Sequence, residues 1–357
     1  MDQHILPGVK AKDVAKAHRQ DVLIQNDHAC NCITYWIDEK RGHVFCLIEA
    51  PNYEAVQVLH NKSHGLAPNK IIEVNPALVE SFLGRISDPE EAEISEEGLK
   101  VFHDPSFRIL LVLKKDDPVL LCNTFGKEKA TAMLQQLNET ISKELKQFGG
   151  KETEHAGDNS IASFTSAGKA IDCALSIRKK IQHINHFKTS IHAGEPVTNN
   201  EKLFGETIQF AERLCLVAKN FQVAVSSSVK ELAAASHFQN TGDIVTFSQQ
   251  DESLLVLLFN QLDMHWQDSD FNVADYCRSM AMSESQLYRK TIALTGLSPN
   301  KLLKEHRLEK AKELMKKKNY NISQITFDSG FTSPSYFTKC FKKKFGLLPM
   351  AYLDMLP

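Results

Sequence analysis

Two short helices near the end of the chain carry matching start and stop signals, and this pattern constrains the fold more than any other feature of the sequence. Ser283 and Ser333 are good N-caps, and Gln286, three residues after the first, completes a capping box. Gly296 and Gly346 stand where a left-handed residue commonly ends a helix. The sequence therefore predicts two separately capped helices whose starts lie fifty residues apart.

A shorter helical stretch precedes each capped helix, at Val273–Ser279 and at Ile322–Asp328. A short helix, a tight turn and a capped second helix form the helix-turn-helix pattern, which occurs here twice. Residues 299–318 (PNKLLKEHRLEKAKELMKKK) are a predicted helical connector. Two units held rigidly can enter successive faces of the DNA major groove about 34 Å apart. The segment is therefore predicted to be an all-α tandem helix-turn-helix that binds double-stranded DNA.

The charge of the chain supports this prediction only when it is divided by segment. The whole chain has a formal charge of −2, which by itself argues against a nucleic-acid partner. Fifteen basic and ten acidic residues from Phe259 to Pro357 give that segment a charge of +5, which leaves −7 for the rest. A positive C-terminal segment on an acidic chain is the electrostatic pattern of a nucleic-acid binder.

The C-terminal residues resemble the AraC/XylS family of bacterial transcription regulators from about Phe271 to Tyr352. The resemblance is carried by HRLEKAKELM in the connector and by ISQITFDSGFTSPSYFTKCFKKKFGLLPMAY after it. The first unit departs from the family at Thr291, where Phe is usual, and at Asp275–Tyr276, where Leu-Ala is usual. The resemblance implies that outward residues near the start of each capped helix contact bases or phosphates: Ser285, Tyr288, Arg289 and Lys290 on the first helix, and Ser335, Thr338, Lys339 and Lys342 on the second.

The N-terminal segment alternates between short strands and helices in the order βαββαβ, which is the order of a ferredoxin-like, split βαβ unit. The predicted elements are a strand with Asp2 and His4, a helix over Ala11–Gln25, strands at Cys32–Asp38 and Val44–Glu49, a helix over Tyr53–Lys62 and a strand at Ile71–Val74. Both helices of such a unit pack on one face of its sheet. Polar side chains on these elements can therefore converge.

Five residues of this segment are candidate metal ligands. His60 and His64 stand four residues apart, His18 and Asp21 stand three apart on the other helix, and His4 shares a strand face with Asp2. Imidazole and carboxylate together suit nickel, zinc, copper or iron. The alternative is that these are surface histidines or hydrogen-bonded structural ones.

The N-terminal segment also resembles a small family of ferredoxin-like domains described as nickel-binding. The matching stretches within residues 2–75 are HRQDVLIQ, YWIDEKRGHVFCLIEAPN and HNKSHGLAPNKIIEV. The resemblance implies a divalent transition metal as the cofactor, with nickel favoured.

The middle of the chain is predicted to be an α/β sandwich. Residues 81–106 include the acidic stretch SDPEEAEISEEG, which predicts a linker or a solvated helix. The predicted strands are Ile109–Leu113, Val119–Asn123, Ser160–Phe164, Lys188–His192, Val223–Ser226, Ile244–Phe247 and Leu254–Leu258, and the predicted helices are Lys127–Phe148, Ala167–Ile184, Glu206–Ala218 and Ser228–Ala235.

Residues 118–258 resemble a class III nucleotide cyclase homology domain through FGGKETEHAGDNSIASFTSAGKAIDCALSIRKKI, SIHAGEP and LFGETIQFAERL. Such enzymes need two carboxylates to hold two metal ions. The matching positions hold Asn123 and Asp158, the base-reading positions hold Glu154 and Lys202, and the transition-state pair is Gln209 and Arg213. The resemblance therefore implies a degenerate domain without catalytic residues. Asp158 and Arg213 remain candidates for binding a nucleotide, and the domain is expected to pair two chains into a homodimer.

These segments together predict a multidomain α+β protein that acts as a one-component transcription regulator rather than an enzyme. The predicted division is 1–80, 81–106, 107–258 and 259–357, with a metal ion, a small ligand or a nucleotide as effector. The N-terminus lacks a signal-peptide pattern, the longest apolar run is Leu254–Phe259, and the eight cysteines are scattered, so a cytoplasmic protein without membrane contact is expected. Two alternatives remain: an active nucleotide cyclase fused to a DNA-binding module, and a metal-binding storage or interaction protein.

Overall fold

The computed structural model describes residues 1–153, 159–181, 187–218, 222–239, 242–317 and 320–356. They form a multidomain α+β structure with sheets in the N-terminal and middle segments and a helical C-terminal segment. No helix in the described part of the chain is both long enough and apolar enough to cross a membrane.

The N-terminal segment contains the six predicted elements in the predicted order. They are β1 (Asp2–Ile5), α1 (Ala11–Ile24), β2 (Asn31–Asp38), β3 (His43–Glu49), α2 (Tyr53–Ser63) and β4 (Lys70–Ile71). The strands form one antiparallel sheet in the order β2-β3-β1-β4. One sheet face packs against α1 through Tyr35, Ile37 and Val44, and the other packs against the middle segment through Trp36 and Phe45. Because both faces are covered, β2 and β3 are nearly continuous apolar runs.

The acidic stretch after this sheet is more structured than its composition suggests. Helix α3 (Pro76–Leu83) precedes it, and the stretch itself contributes β5 (Glu93–Ile94) to a small hairpin with β6 (Lys100–Val101). Leu99 and Phe102 are buried, and the Phe102 ring stacks on Tyr35 with ring centroids 4.3 Å apart. The prediction of a linker or a solvated helix overlooked these two apolar anchors, which hold the hairpin against the first sheet.

The middle segment has a six-stranded mixed sheet in the order β12-β11-β10-β7-β9-β8. Its elements are β7 (Arg108–Lys115), α4 (Pro118–Phe125), α5 (Lys127–Phe148), β8 (Lys151–Thr153), β9 (Asn159–Phe164), α6 (Ala167–Lys180), β10 (Phe187–Gly194), α7 (Gly205–Val217), β11 (Val223–Val225), α8 (Ser227–Leu232), β12 (Ile244–Thr246) and α9 (Gln249–His265). Leu111 and Leu113 face the core that holds α5 and α6, whereas Leu110 and Val112 face α7 and the first sheet.

Two predicted strands of the middle segment are wrong. Val119–Asn123 lies in α4, because Asp117 caps the helix and Pro118 occupies its first position. Leu254–Leu258 lies in α9, which begins with a capping box between Ser248 and Asp251. A short apolar run does not distinguish a strand from a buried helix, and in both cases the residues in front of the run decide.

The C-terminal segment is helical, and its helix starts and stops agree with the sequence prediction. It contains α10 (Val273–Ser279), α11 (Glu284–Thr295), α12 (Pro299–Lys316), α13 (Ile322–Asp328), α14 (Pro334–Phe345) and α15 (Pro349–Asp354). Ser283 and Ser333 accept hydrogen bonds from backbone amides in the first turns of α11 and α14. Gly296 and Gly346 end these helices with φ angles of 71° and 75°. We call α10 and α11 the first helix pair, and α13 and α14 the second helix pair.

Candidate nucleic-acid interface and metal centre

The first candidate DNA-contacting surface is the outer face of α11. Leu287 and Thr291 point into the core, because residues four apart share one face of a helix. The intervening positions are turned outward, and Tyr288 is 53% exposed. The residues predicted to contact DNA, Ser285, Tyr288, Arg289 and Lys290, are all exposed.

The second candidate surface is the outer face of α14. Phe337 and Phe341 are fully buried four residues apart and fix the inward side of this helix. Ser335, Lys339 and Lys342 are exposed, and Thr338 is half-buried at the edge of the same face.

The basic side chains on these two faces are not neutralised by the fold. Among the described residues, no carboxylate lies within salt-bridge distance of the four cations Arg289, Lys290, Lys339 and Lys342. By contrast, Lys344 faces inward, 3.0 Å from Glu309 and 3.6 Å from Glu305. The outer faces of the two capped helices therefore carry positive charge that is available to an anionic partner.

The departures from the AraC/XylS pattern are accommodated inside the first helix pair. Tyr276 is buried and its hydroxyl donates to the Leu258 carbonyl at 2.6 Å. Asp275 accepts from the backbone of Asn272 as part of a capping box. Thr291 is fully buried where the larger Phe is usual, and its hydroxyl has no hydrogen-bond partner among the described residues.

His60 is the centre of the candidate metal site. Its Nδ1 lies 3.1 Å from His64 Nε2 and 3.3 Å from Asp21 Oδ1, and His64 Nε2 lies 3.3 Å from the same carboxylate oxygen. Ligand atoms that each lie about 2.0–2.1 Å from one transition metal are about 3.0–3.4 Å apart. The three ligand atoms therefore have the mutual spacing that one ion requires.

A second group of potential ligands, Asp2, His4 and Cys46, adjoins the first. The other ring nitrogen of His60, Nε2, donates to Asp2 Oδ2 at 2.9 Å, while Asp2 Oδ1 lies 3.6 Å from His4 Nε2. A partly enclosed cavity of about 60 Å³ is lined by residues of both groups and by His18. The imidazole that would bind an ion at Nδ1 is thus oriented by a buried carboxylate at Nε2, an arrangement common around metal-bound histidines.

The histidines of the site stabilise the charged forms of Asp2 and Asp21. Burial works against the charge of Asp21, but hydrogen bonds from His60 and His64 outweigh it and hold the Asp21 pKa below its ordinary value. Asp2 is fully buried, and its hydrogen bond with His60 likewise keeps its pKa low despite that burial. Burial also opposes the charge of His60, yet hydrogen bonds to both carboxylates raise its pKa to about 9. Burial lowers the pKa of His4.

Of the five predicted ligands, four meet in this cluster and one does not. His4, Asp21, His60 and His64 are in contact with one another or with Asp2. His18 lines the cavity beside the Tyr35 ring, with ring centroids 5.3 Å apart, and belongs to neither ligand group. Asp2 and Cys46 were not predicted as ligands. Asp2 could have been predicted, because it shares a strand face with the predicted ligand His4. Cys46 could not, because it comes next to Asp2 only when β1 pairs with β3.

Of the two predicted nucleotide-binding residues of the middle segment, only Arg213 lies in the described part of the chain. Asp158 and Glu154 lie outside the described residues. Arg213 is buried rather than a cation on the helix surface, and it donates to Asn260 and Asp263, each at 2.8 Å. Asn123 is exposed and lies in helix α4 rather than on a strand. Arg213 also lines a cleft of about 510 Å³ that Gln209 and His192 share.

Comparisons with known proteins agree with two of the resemblances. Residues 276–355 match the model of a helix-turn-helix domain family, and residues 1–74 match the model of the family described as nickel responsive protein SCO4226-like. Histidine kinase P4 of Formosa agariphila is 32% identical over 139 residues, which are 38% of this chain and 10% of that protein. The uncharacterized HTH-type transcriptional regulator YidL of Escherichia coli is 30% identical over 105 residues, which are 29% of this chain and 34% of that protein.

Among solved structures, an adenylate/guanylate cyclase/hydrolase from Silicibacter pomeroyi has 22% identity and a TM-score of 0.31, covering 35% of this chain and 78% of that one. The chain spans about a third or less of the length of the two curated relatives named above. At the level of class, the molecule is a multidomain α+β protein with a helix-turn-helix region. More specifically, it carries an AraC-type helix-turn-helix domain at its C-terminal end and an SCO4226-like domain at its N-terminal end.

Proposed function

We propose that this protein is a sequence-specific DNA-binding transcription regulator of the AraC type. The observation that carries the proposal is the pair of capped helices whose cations face outward, without a carboxylate partner among the described residues, at the positions that the resemblance assigns to DNA. The similarity to the Escherichia coli protein named as an HTH-type transcriptional regulator supports the same function. We place the protein in the cytoplasm, where it meets double-stranded DNA.

A selection of random duplexes with the full-length protein tests this proposal. We expect a defined sequence motif, and we expect Arg289→Ala and Lys339→Ala each to weaken binding to it by about ten-fold or more. Lys62→Ala removes the same charge from an exposed position on α2 and serves as the matched control. The proposal fails if no motif is enriched with or without added nickel, or if Lys62→Ala weakens binding as much as the two helix variants.

We further propose that the N-terminal segment is a ferredoxin-like domain that binds a divalent transition metal, nickel by resemblance, and that this metal modulates DNA binding. The spacing of His60, His64 and Asp21 supports one ion at their facing atoms, with His4, Asp2 and Cys46 as the adjoining group. The bound ion would add positive charge to a buried cluster that holds two carboxylates.

Metal analysis of the purified chain and calorimetric titration with nickel test this site. We expect about one equivalent or more of bound metal, and a loss of affinity of about ten-fold or more in His60→Ala and in His64→Ala. His28→Ala, which removes a histidine outside the cavity, is expected to bind as the wild type does. Equal affinity in all four proteins would remove the metal proposal and would leave the DNA proposal intact.

For the middle segment we propose dimerisation without catalysis. Arg213 is committed to Asn260 and Asp263, and the first carboxylate position is Asn123, so the groups for a two-metal reaction are incomplete. The resemblance to domains that pair two chains supports the homodimer, which light scattering of the full-length protein would measure. Cyclic product from ATP or GTP with manganese, lost in Asp158→Ala, would instead establish the cyclase alternative.

A further inference from the structure

Helix α4 belongs to the middle segment by sequence, yet it packs into the core of the second helix pair. Val119 is only 8% exposed and shares one apolar cluster with residues of α12, α13, α14 and α15, and Leu120 packs against the same cluster. The aromatic part of this cluster includes Phe341 of α14 and Tyr352 of α15, whose ring centroids lie 5.8 Å apart. The support beneath the second DNA-facing helix therefore includes a piece of the middle segment.

Asp117, directly before α4, connects this helix to two C-terminal helices at once. Its Oδ1 accepts from the Val119 amide at 3.0 Å and caps α4. Its Oδ2 accepts from the Tyr352 hydroxyl at 2.6 Å, and the Lys312 and Lys316 Nζ atoms lie 3.5 and 3.7 Å from the same oxygen. Because Asp117 is buried, its charge depends on these neighbours for compensation.

The geometry around Asp117 links the connector helix to the support of the second recognition surface. Lys312 and Lys316 are on α12, which joins the two helix pairs, and Tyr352 is on α15, which packs on α14. The first helix pair is attached to the middle segment by another route, through Tyr276 on the Leu258 carbonyl of α9. Each helix pair thus has a polar contact with the middle segment, and Asp117 is a polar anchor of the second pair.

The strand that leads into Asp117 is itself fixed. Four consecutive residues of β7, Leu110–Leu113, are fully buried in the middle sheet. At the start of the same strand, Arg108 donates to the Leu83 carbonyl at 2.8 Å and to the Phe82 carbonyl at 3.2 Å. Asp117 therefore stands at the end of a rigid element, which suits a residue that sets the position of something else.

We propose that Asp117 is a positioning residue that fixes α14 relative to α11 and so determines the spacing at which the protein reads two elements of a DNA site. This inference rests on the proposed DNA-binding function. It assigns to a residue of the middle segment, which is outside the helix-turn-helix region, a role in the choice of the DNA sequence.

The test is a selection of random duplexes with full-length wild type, Asp117→Ala, Asp117→Asn and Tyr352→Phe, followed by affinities on the selected site. Asp117→Asn keeps an acceptor but removes the charge, and Tyr352→Phe keeps the ring in the core but removes the hydroxyl. Asp116→Asn changes the exposed neighbouring carboxylate and is the matched control. Near-ultraviolet circular dichroism of each protein verifies that the aromatic core is retained.

We expect the wild type and Asp116→Asn to select two elements at one fixed spacing and to bind about ten-fold more weakly when the second element is moved by one or two base pairs. In Asp117→Ala this spacing preference should fall to about two-fold or less, with smaller reductions in Asp117→Asn and Tyr352→Phe, while affinity for the first element alone stays unchanged. A role limited to stability would instead lower the affinity for every site equally.

Three results would overturn the inference. The first is that the wild type selects a site with a single element. The second is that Asp117→Ala and Tyr352→Phe keep the wild-type spacing preference. The third is that the variants lose the same affinity for sites with shifted and unshifted second elements. In each of these the wild type still selects DNA, so the proposed function stands. If the wild type selects no sequence at all, the proposed function fails and the inference fails with it.

Discussion

At the scale of single residues, partners in space decide what each ionisable side chain does. Arg213 lies at a position that the cyclase resemblance assigns to catalysis, but in this fold it is buried and bonded to Asn260 and Asp263 on α9. Exposure on α11 and α14 could be predicted because it follows from helix periodicity and the caps. The partners of Arg213 could not be predicted. Asn260 and Asp263 follow Leu254–Leu258, which was predicted as a strand, whereas in the structure all of them lie on one helix, α9.

His192 provides a test of buried charge at this scale. It lies on β10 against Phe210, its Nδ1 has no partner among the described residues, and burial lowers its pKa from 6.5 to about 4. In the unfolded chain the His192 imidazole is protonated below about pH 6.5, whereas in the folded chain it stays neutral down to about pH 4. The free energy of unfolding therefore decreases as the pH falls from about 6.5 to about 4.

We expect up to about 2–3 kcal/mol of this loss to come from His192. Melting temperatures of the wild type and His192→Gln between pH 7.5 and 4.5 measure it. The wild type should lose stability more steeply than the variant, and the difference isolates His192 from His4 and His18, whose pKa values are also lowered. Parallel curves would contradict the prediction.

At the scale of helices and strands, signals at the ends of an element are more informative than its apolar content. The capped helices α11 and α14 have their predicted starts and stops. The runs at Val119–Asn123 and Leu254–Leu258 were assigned from their apolar content and were wrong. Their N-terminal caps, Asp117 and Ser248, were the information that would have corrected them.

The cap of α14 makes a prediction of this kind. Ser333→Ala removes the acceptor for the Tyr336 amide and should lower the free energy of unfolding by about 1 kcal/mol. DNA binding should also weaken, because α14 would fray at the end that carries the proposed DNA contacts. Ser298 precedes α12 but makes no side-chain capping hydrogen bond, so Ser298→Ala is the matched control, with an expected change of less than about 0.5 kcal/mol. Urea unfolding and binding titrations of both variants measure these effects, and equal effects would contradict the assigned cap.

At the scale of the whole molecule, the segments share their cores. The first sheet packs its Trp36 face on the middle sheet, α9 packs on the first helix pair, and α4 packs on the second. The predicted division at residue 258/259 stays a proposal, and α9 runs across that position.

Shared cores predict that a fragment of residues 259–357 is much less stable than the same region in the full chain. It lacks Leu255 and Leu258, which are fully buried against the first helix pair, and it lacks Val119 of α4. We expect a loss of about 4 kcal/mol or more and binding of a hydrophobic dye. A fragment of residues 249–357 restores α9 and should recover part of the loss in thermal melts, whereas identical melting of both fragments would contradict this prediction.

The sequence by itself determined the helix-turn-helix pattern, the basic C-terminal charge and the outward residues of the two capped helices, because caps, periodicity and charge are local properties of a chain. It also identified four of the candidate ligands that lie together in the cluster around His60. Only the tertiary structure decided that Asp2 and Cys46 join them, that Arg213 is tied to α9, and that Asp117 contacts Tyr352 across 235 positions of sequence. These are contacts between distant residues, and they form only when packing brings the elements together.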